Sequence, residues 1–161
     1  MKLVTYFTAP TGSEGRAGLL VKEFVIDLER TSSEGRYDAG LVKPLPASLR
    51  QLFEEEDEAL RQCSQIESYF ADLPVEKYPI RLSIPLQETK LAPPIRDPQK
   101  IICIGMNYRD HCEEQKKPLP EKPIIFAKFP TALIGHSEPI VKPPLTEQMD
   151  YEAELAVIIG K

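Results

Sequence analysis

Lys100-Ile101-Ile102-Cys103-Ile104-Gly105-Met106-Asn107-Tyr108-Arg109-Asp110-His111-Cys112-Glu113-Glu114 joins an apolar run to a loop dense in polar and ionisable side chains. Its first part, Lys100 to Ile104, reads as a short buried strand, too brief for a helix and rich in β-branched residues. Functional groups set on a loop at a strand end and held by a rigid scaffold are a common active-site arrangement. A short polar helix is expected around Asp110 to Lys116, where His111 and Glu114, three residues apart, share a face. A carboxylate placed there can orient an imidazole and raise its basicity, which makes the two a candidate general-base dyad. The same residues could equally form an exposed helix start with Asp110 favouring the helix dipole. Cys112 is a poor nucleophile partner for His111, because adjacent helical residues point in different directions.

Further along, Ile124 to Lys128 reads as an apolar strand and Ala132 to Ile134 as another, while His136, between Gly135 and Ser137, reads as a surface loop residue. The run Asp150-Tyr151-Glu152-Ala153-Glu154-Leu155-Ala156-Val157-Ile158-Ile159-Gly160 is strongly strand-forming and carries paired carboxylates. In a strand, residues two apart face the same side with Cα atoms roughly 6.5–7 Å apart, so Glu152 and Glu154 could grip one hard cation. A divalent ion wants about six oxygens or more, so the remainder would come from water, substrate or other protein groups. An antiparallel strand with one solvated face, and Tyr151, Ala153 and Leu155 turned to the core, is the competing reading. Against it, Ala156 to Ile159 are apolar on both faces, which predicts a buried strand end and carboxylates in need of a cation or donors.

Towards the amino terminus, Leu3 to Phe7 and Gly18 to Leu28 read as paired strands joined by a glycine-containing turn. Between Ala47 and Phe70, Leu49, Leu52, Phe53, Leu60, Cys63 and Ile66 recur at helical spacing, with Ser48 as an N-cap, predicting a helix in one or two pieces. The acidic run Glu54 to Glu58 is expected on its solvated face. Thirteen of the sixteen prolines lie between Pro74 and Pro144, a region that long helices would not survive. Leu91-Ala92-Pro93-Pro94-Ile95-Arg96-Asp97-Pro98 reads as a linker, dividing a small amino-terminal domain, 1–95, from a second domain, 96–161. The expected class is mainly β with some helix (α+β).

Twenty Lys and Arg against 25 Asp and Glu give a formal charge of −5, which argues against nucleic acid as a partner. No apolar stretch approaches a membrane span. Three cysteines without a CxxC pair suit a reducing compartment, and the opening Met1 to Thr8 lacks transit-peptide or signal character, which taken literally predicts cytoplasm. There is no GxGxxG, P-loop, HExxH or GxSxG motif.

Three separated segments, Lys100 to His111, Pro123 to Phe129 and Asp150 to Lys161, occur in the order and wording that resemble the fumarylacetoacetate hydrolase family. The resemblance implies a mixed β-sandwich roll as the catalytic domain, usually dimeric, preceded by a small leading domain. It implies a divalent metal, Mg²⁺ foremost with Mn²⁺ or Ca²⁺ as alternatives, held by a Glu-x-Glu pair and a later Asp. Glu152 and Glu154 match the pair, and the Asp would lie beyond Lys161, so the expectation is an amino-terminal portion of a longer protein, its roll incomplete at the C-terminus. His111 and Glu114 match the family's acid/base pair on a lid helix, and Lys128 matches a lysine expected to contact substrate. The implied reaction is keto–enol tautomerisation of oxaloacetate or a similar 2-oxo acid, through an enolate stabilised by the cation's charge. Hydrolysis of a C–C bond in acylpyruvate-type or fumarylacetoacetate-type substrates, and decarboxylation, are alternative fates of the same enolate. A catalytically inactive interaction protein is the reading from another class. The family also implies mitochondria as the compartment.

Overall fold

The structure, a computed structural model, describes residues 1–8, 14–34, 43–55 and 57–159. Its fold class is α+β, and it divides into two compact units: Met1–Ile95 with Gly135–Lys161, and Arg96–Ile134. Residues 96–161, expected as one domain, are thus shared between them.

The first unit is built on a five-stranded antiparallel sheet in the order β4-β3-β2-β1-β5, from β1 (Leu3–Thr8), β2 (Arg16–Val21), β3 (Phe24–Asp27), β4 (Ser83–Pro85) and β5 (Thr89–Ala92). The single run expected over Gly18 to Leu28 is two strands. It turns at Lys22 and Glu23, with Lys22 in the left-handed region (φ 53°), a hairpin geometry usually reserved for Gly, Asn or Asp.

Register divides the sheet into two faces. Ala17, Leu19, Val21 and Ile26 turn to one side and bury themselves against α2 (Leu49–Glu54) and α3 (Asp57–Asp72). The expected helix is in two pieces, and Ser48 caps the first by accepting a hydrogen bond from the Gln51 N–H at 3.2 Å. Ala59, Cys63, Ile66 and Phe70 form the inward stripe of α3 at four-three-four spacing, while Leu60, expected inward, is 36% exposed. Phe70 ends the stripe in an edge-to-face contact with Tyr78, whose hydroxyl donates to the Phe70 carbonyl.

The opposite face holds a buried polar network. Asp27, at the end of β3, caps α1 (Leu28–Ser33) by accepting from the Arg30 N–H at 2.8 Å. It also accepts from the Tyr6 hydroxyl at 2.6 Å and, through both oxygens, from Arg16 at 2.7 and 2.9 Å. Gly18 is required here, because a Cβ would stand 2.5 Å from a Val25 methyl and 2.9 Å from the Tyr6 ring.

The second unit carries β6 (Ile101–Gly105) and β7 (Ile124–Lys128), paired antiparallel from Ile101 opposite Lys128 to Gly105 opposite Ile124, with α4 (Arg109–Glu114) between them. The strand expected to be buried is only half covered: Ile102 is 63% and Ile104 37% exposed, and every residue of β7 is exposed. Ala132 to Ile134 is not a strand. Pro130 opens a single 3-10 turn, Pro130–Ala132, in which the Leu133 N–H reaches the Pro130 carbonyl.

The largest departure concerns Asp150 to Ile159, which has no regular secondary structure and is exposed throughout, with Tyr151 at 85% and Leu155 at 83%. Neither the core facing that the competing reading gave Tyr151, Ala153 and Leu155 nor the burial expected of Ala156 to Ile159 is found in the described residues. A strand exists only where a neighbouring strand takes up its N–H and C=O groups, so β-propensity alone leaves extended chain. The glycine-containing turn after β1, Glu56 of the acidic run, and Gly160 and Lys161 lie outside the described residues.

Candidate active site

The loop after β6 is shaped by its backbone. Met106 takes a left-handed conformation (φ 53°), a costly choice for a non-glycine residue that turns the chain from β6 into α4. The buried Cys112 thiol, 3.5 Å from the Met106 carbonyl oxygen, ties helix to turn. At its other end α4 closes with a Schellman motif: the Lys116 N–H bonds to Glu113 O at 3.0 Å and the Lys117 N–H to Cys112 O at 2.9 Å. Lys116 holds the left-handed position there, with φ 54°. A six-residue helix is thus fastened at both ends, with Cys112 inward and His111 and Glu114 outward.

This helix brings the predicted dyad together. His111 Nδ1 lies 3.8 Å from a Glu114 carboxylate oxygen, and both side chains are open to solvent. Sequence reading missed Gln115, whose amide nitrogen is 2.8 Å from His111 Nε2. The signal was available, since Gln115 stands four residues beyond His111 and such pairs meet on a helix. Lys128 belongs to the same unit, at the end of β7 opposite Ile101, with its side chain exposed. His136 is exposed, in a turn where the Gly135 N–H and Lys90 both bind the Glu138 carboxylate at 2.6 Å, which holds that carboxyl below its ordinary range.

Glu152 and Glu154 belong to the first unit, in the exposed segment before Ile159. As donors, two carboxylates suit a hard cation in kind but supply only part of its coordination. Among the described residues, no three His, Cys, Asp or Glu side chains converge to hold a metal.

The comparisons with known proteins bear on the same segments. The family described as fumarylacetoacetate hydrolase, C-terminal, matches residues 100–161, the stretch holding all five candidate residues. Human oxaloacetate tautomerase FAHD2A, mitochondrial, is 38% identical over 117 residues, covering 73% of this chain and 34% of its own length. The Xenopus laevis oxaloacetate tautomerase fahd2, mitochondrial, reaches 56% identity over 71 residues, 44% of this chain and 22% of its own. The Dictyostelium discoideum fumarylacetoacetate hydrolase domain-containing protein 2 homolog is 32% identical over all 161 residues, 47% of its length. This chain therefore spans less than half the length of these relatives. Among solved structures, one described as an HpcE protein from Mycobacterium smegmatis superposes with a TM-score of 0.55 at 24% identity, covering 89% of this chain and 41% of its own, which shows a shared fold. Through residues 100–161 and the relatives that match most of its length, this chain belongs to the fumarylacetoacetate hydrolase family.

Proposed function

We propose that the protein acts on oxaloacetate or a closely similar 2-oxo acid as a keto–enol tautomerase. The observation that carries the reading is the His111–Glu114 pair, fixed on a doubly fastened helix beside a sheet strand, in a chain whose relatives are named oxaloacetate tautomerases.

In this reading His111 accepts the C3 proton of the keto form, and return of a proton to the C2 oxygen completes the exchange, with no atom gained or lost. Glu114 holds the imidazole in orientation and stabilises its protonated form. Lys128 offers a cation to a substrate carboxylate. Glu152 and Glu154 contribute carboxylates to a divalent ion, Mg²⁺ by preference. When bound, such an ion supplies positive charge that polarises a 2-oxo acid and lowers the barrier to losing its C3 proton. Carbon–carbon bond hydrolysis and decarboxylation draw on the same proton and charge handling. The working protein in this reading is a homodimer, housed in mitochondria as the names of its relatives indicate for them.

Loss of enol absorbance, followed with and without a chelator, tests the reading. His111→Ala is expected to cost about 10²–10⁴-fold in rate, the range of a positioned general base. Glu152→Ala should abolish the metal-dependent part of turnover while leaving folding intact. A wild-type rate equal to that of Mg²⁺ in buffer would sink the tautomerase reading and favour an inactive binding protein.

A further inference from the structure

His111 is contacted from two sides, and the two contacts select the same tautomer. Glu114 sets a negative carboxylate 3.8 Å from Nδ1, which favours a proton on that nitrogen. Gln115 sets an amide nitrogen 2.8 Å from Nε2. An amide NH₂ can only donate, so Nε2 must be the bare nitrogen carrying the lone pair. The inverted amide would place its oxygen at Nε2, require the proton there, and turn the Nδ1 lone pair towards the Glu114 carboxylate, two like-signed groups face to face. The neutral ring is therefore the Nδ1–H form, with Nε2 aimed at Gln115.

We infer that Gln115 is a positioning residue that makes Nε2 the proton-accepting atom of His111 and caps its lone pair until substrate displaces the amide. The inference rests on His111 being the base proposed above and adds which nitrogen acts and what holds it ready. The cap is weak enough to leave, since a neutral hydrogen bond on an exposed face competes with water and nets little. Geometry also permits the exchange: Gln115 follows the last residue of α4, so its side chain can swing away without unwinding the helix.

Long-range ¹⁵N–¹H spectra of histidine-labelled protein read the tautomer without turnover, and His111 and His136 are the two histidines to resolve. His136→Ala assigns the remaining signal. In the wild type Nε2 should resonate as the unprotonated nitrogen. Gln115→Met keeps length and helix preference but removes the donor, and should lower the Nδ1–H to Nε2–H ratio about fivefold, the population shift one ordinary hydrogen bond sets. Gln115→Glu replaces the donor with an acceptor and should put a proton on Nε2. A wild-type ring protonated on Nε2, or a ratio unchanged in Gln115→Met, overturns the inference. Because the spectra need no activity, failure of the cap is separable from failure of His111→Ala to lower the rate.

Discussion

The five-stranded sheet of the first unit and the β6–β7 hairpin of the second are both antiparallel, yet they treat apolar residues in opposite ways. In the sheet, Leu19 and Ile26 are fully buried against α2 and α3, and the polar side chains beneath the other face are matched donor to acceptor around Asp27. In the hairpin Ile102 and Ile125 are 63% and 67% exposed, and Phe129, just beyond β7, is 82% exposed. A two-stranded hairpin buries too little to be stable on its own strength, whereas five strands under two helices can hold a core. Stability therefore concentrates in residues 1–95, while His111, Glu114, Gln115 and Lys128 stand on the part of the chain with less burial.

The sharpest way to break this contrast is to cut the core. Phe70→Ala should lower unfolding free energy by about 3–5 kcal/mol, as large buried aromatics do, and urea unfolding followed by far-UV dichroism reads it. Phe129→Ala, on the exposed side, should stay within about 0.5 kcal/mol of wild type. Equal losses would mean that Phe129 is packed as firmly as Phe70.

Asp27 gives the next effect in size and a pH signature. Burial opposes its charged form, but hydrogen bonds from Arg16, Tyr6 and the Arg30 N–H outweigh that and hold its carboxyl below the usual range. A carboxyl depressed in the folded state stabilises fully above its unfolded pKa, near about 3.9, and the contribution is lost as pH falls through the folded value. Asp27→Ala should therefore cost about 2–4 kcal/mol at pH 6. That lies under the full buried-pair range because Arg16 remains 27% exposed and keeps Glu29 at 2.8 Å. The gap from wild type should close as pH is lowered below about 4. A gap independent of pH would show that Asp27 acts through shape and capping alone.

The smallest effect is chemical. Burial pushes the Cys63 thiol up to about 12, Cys112 is also buried, and Cys103 on β6 is partly open. Alkylation of native protein should mark Cys103 first, because accessible thiolate reacts. Simultaneous labelling of Cys63 would show that α3 opens as readily as the hairpin.

What could be read in advance follows the range of the forces involved. Ser48 as a cap, the stripe on α3 and the strand–loop–helix order around His111 are local, set by spacing and capping within a few residues. The turn at Lys22 escaped because no glycine or asparagine announces it, and register with β1 and β4 on either side imposes the reversal. Gln115 escaped because its spacing from His111 announces a contact on the helix but not which ring nitrogen the amide meets.

By itself, the order of residues determined the α+β class, the helical stretch that Ser48 caps and the short helix around His111, the family wording of residues 100–161 and the pairing of His111 with Glu114 on one helical face, but not the helix α1 that follows Asp27. Tertiary structure decided burial and pairing: which face of the sheet would be oily and which would enclose Asp27, that β7 stands exposed, and that Asp150 to Ile159, for all its β-branched residues, is not a strand. The physical reason is that helices satisfy their backbone from within, so neighbouring residues suffice to specify them. A strand is completed only by the chain beside it.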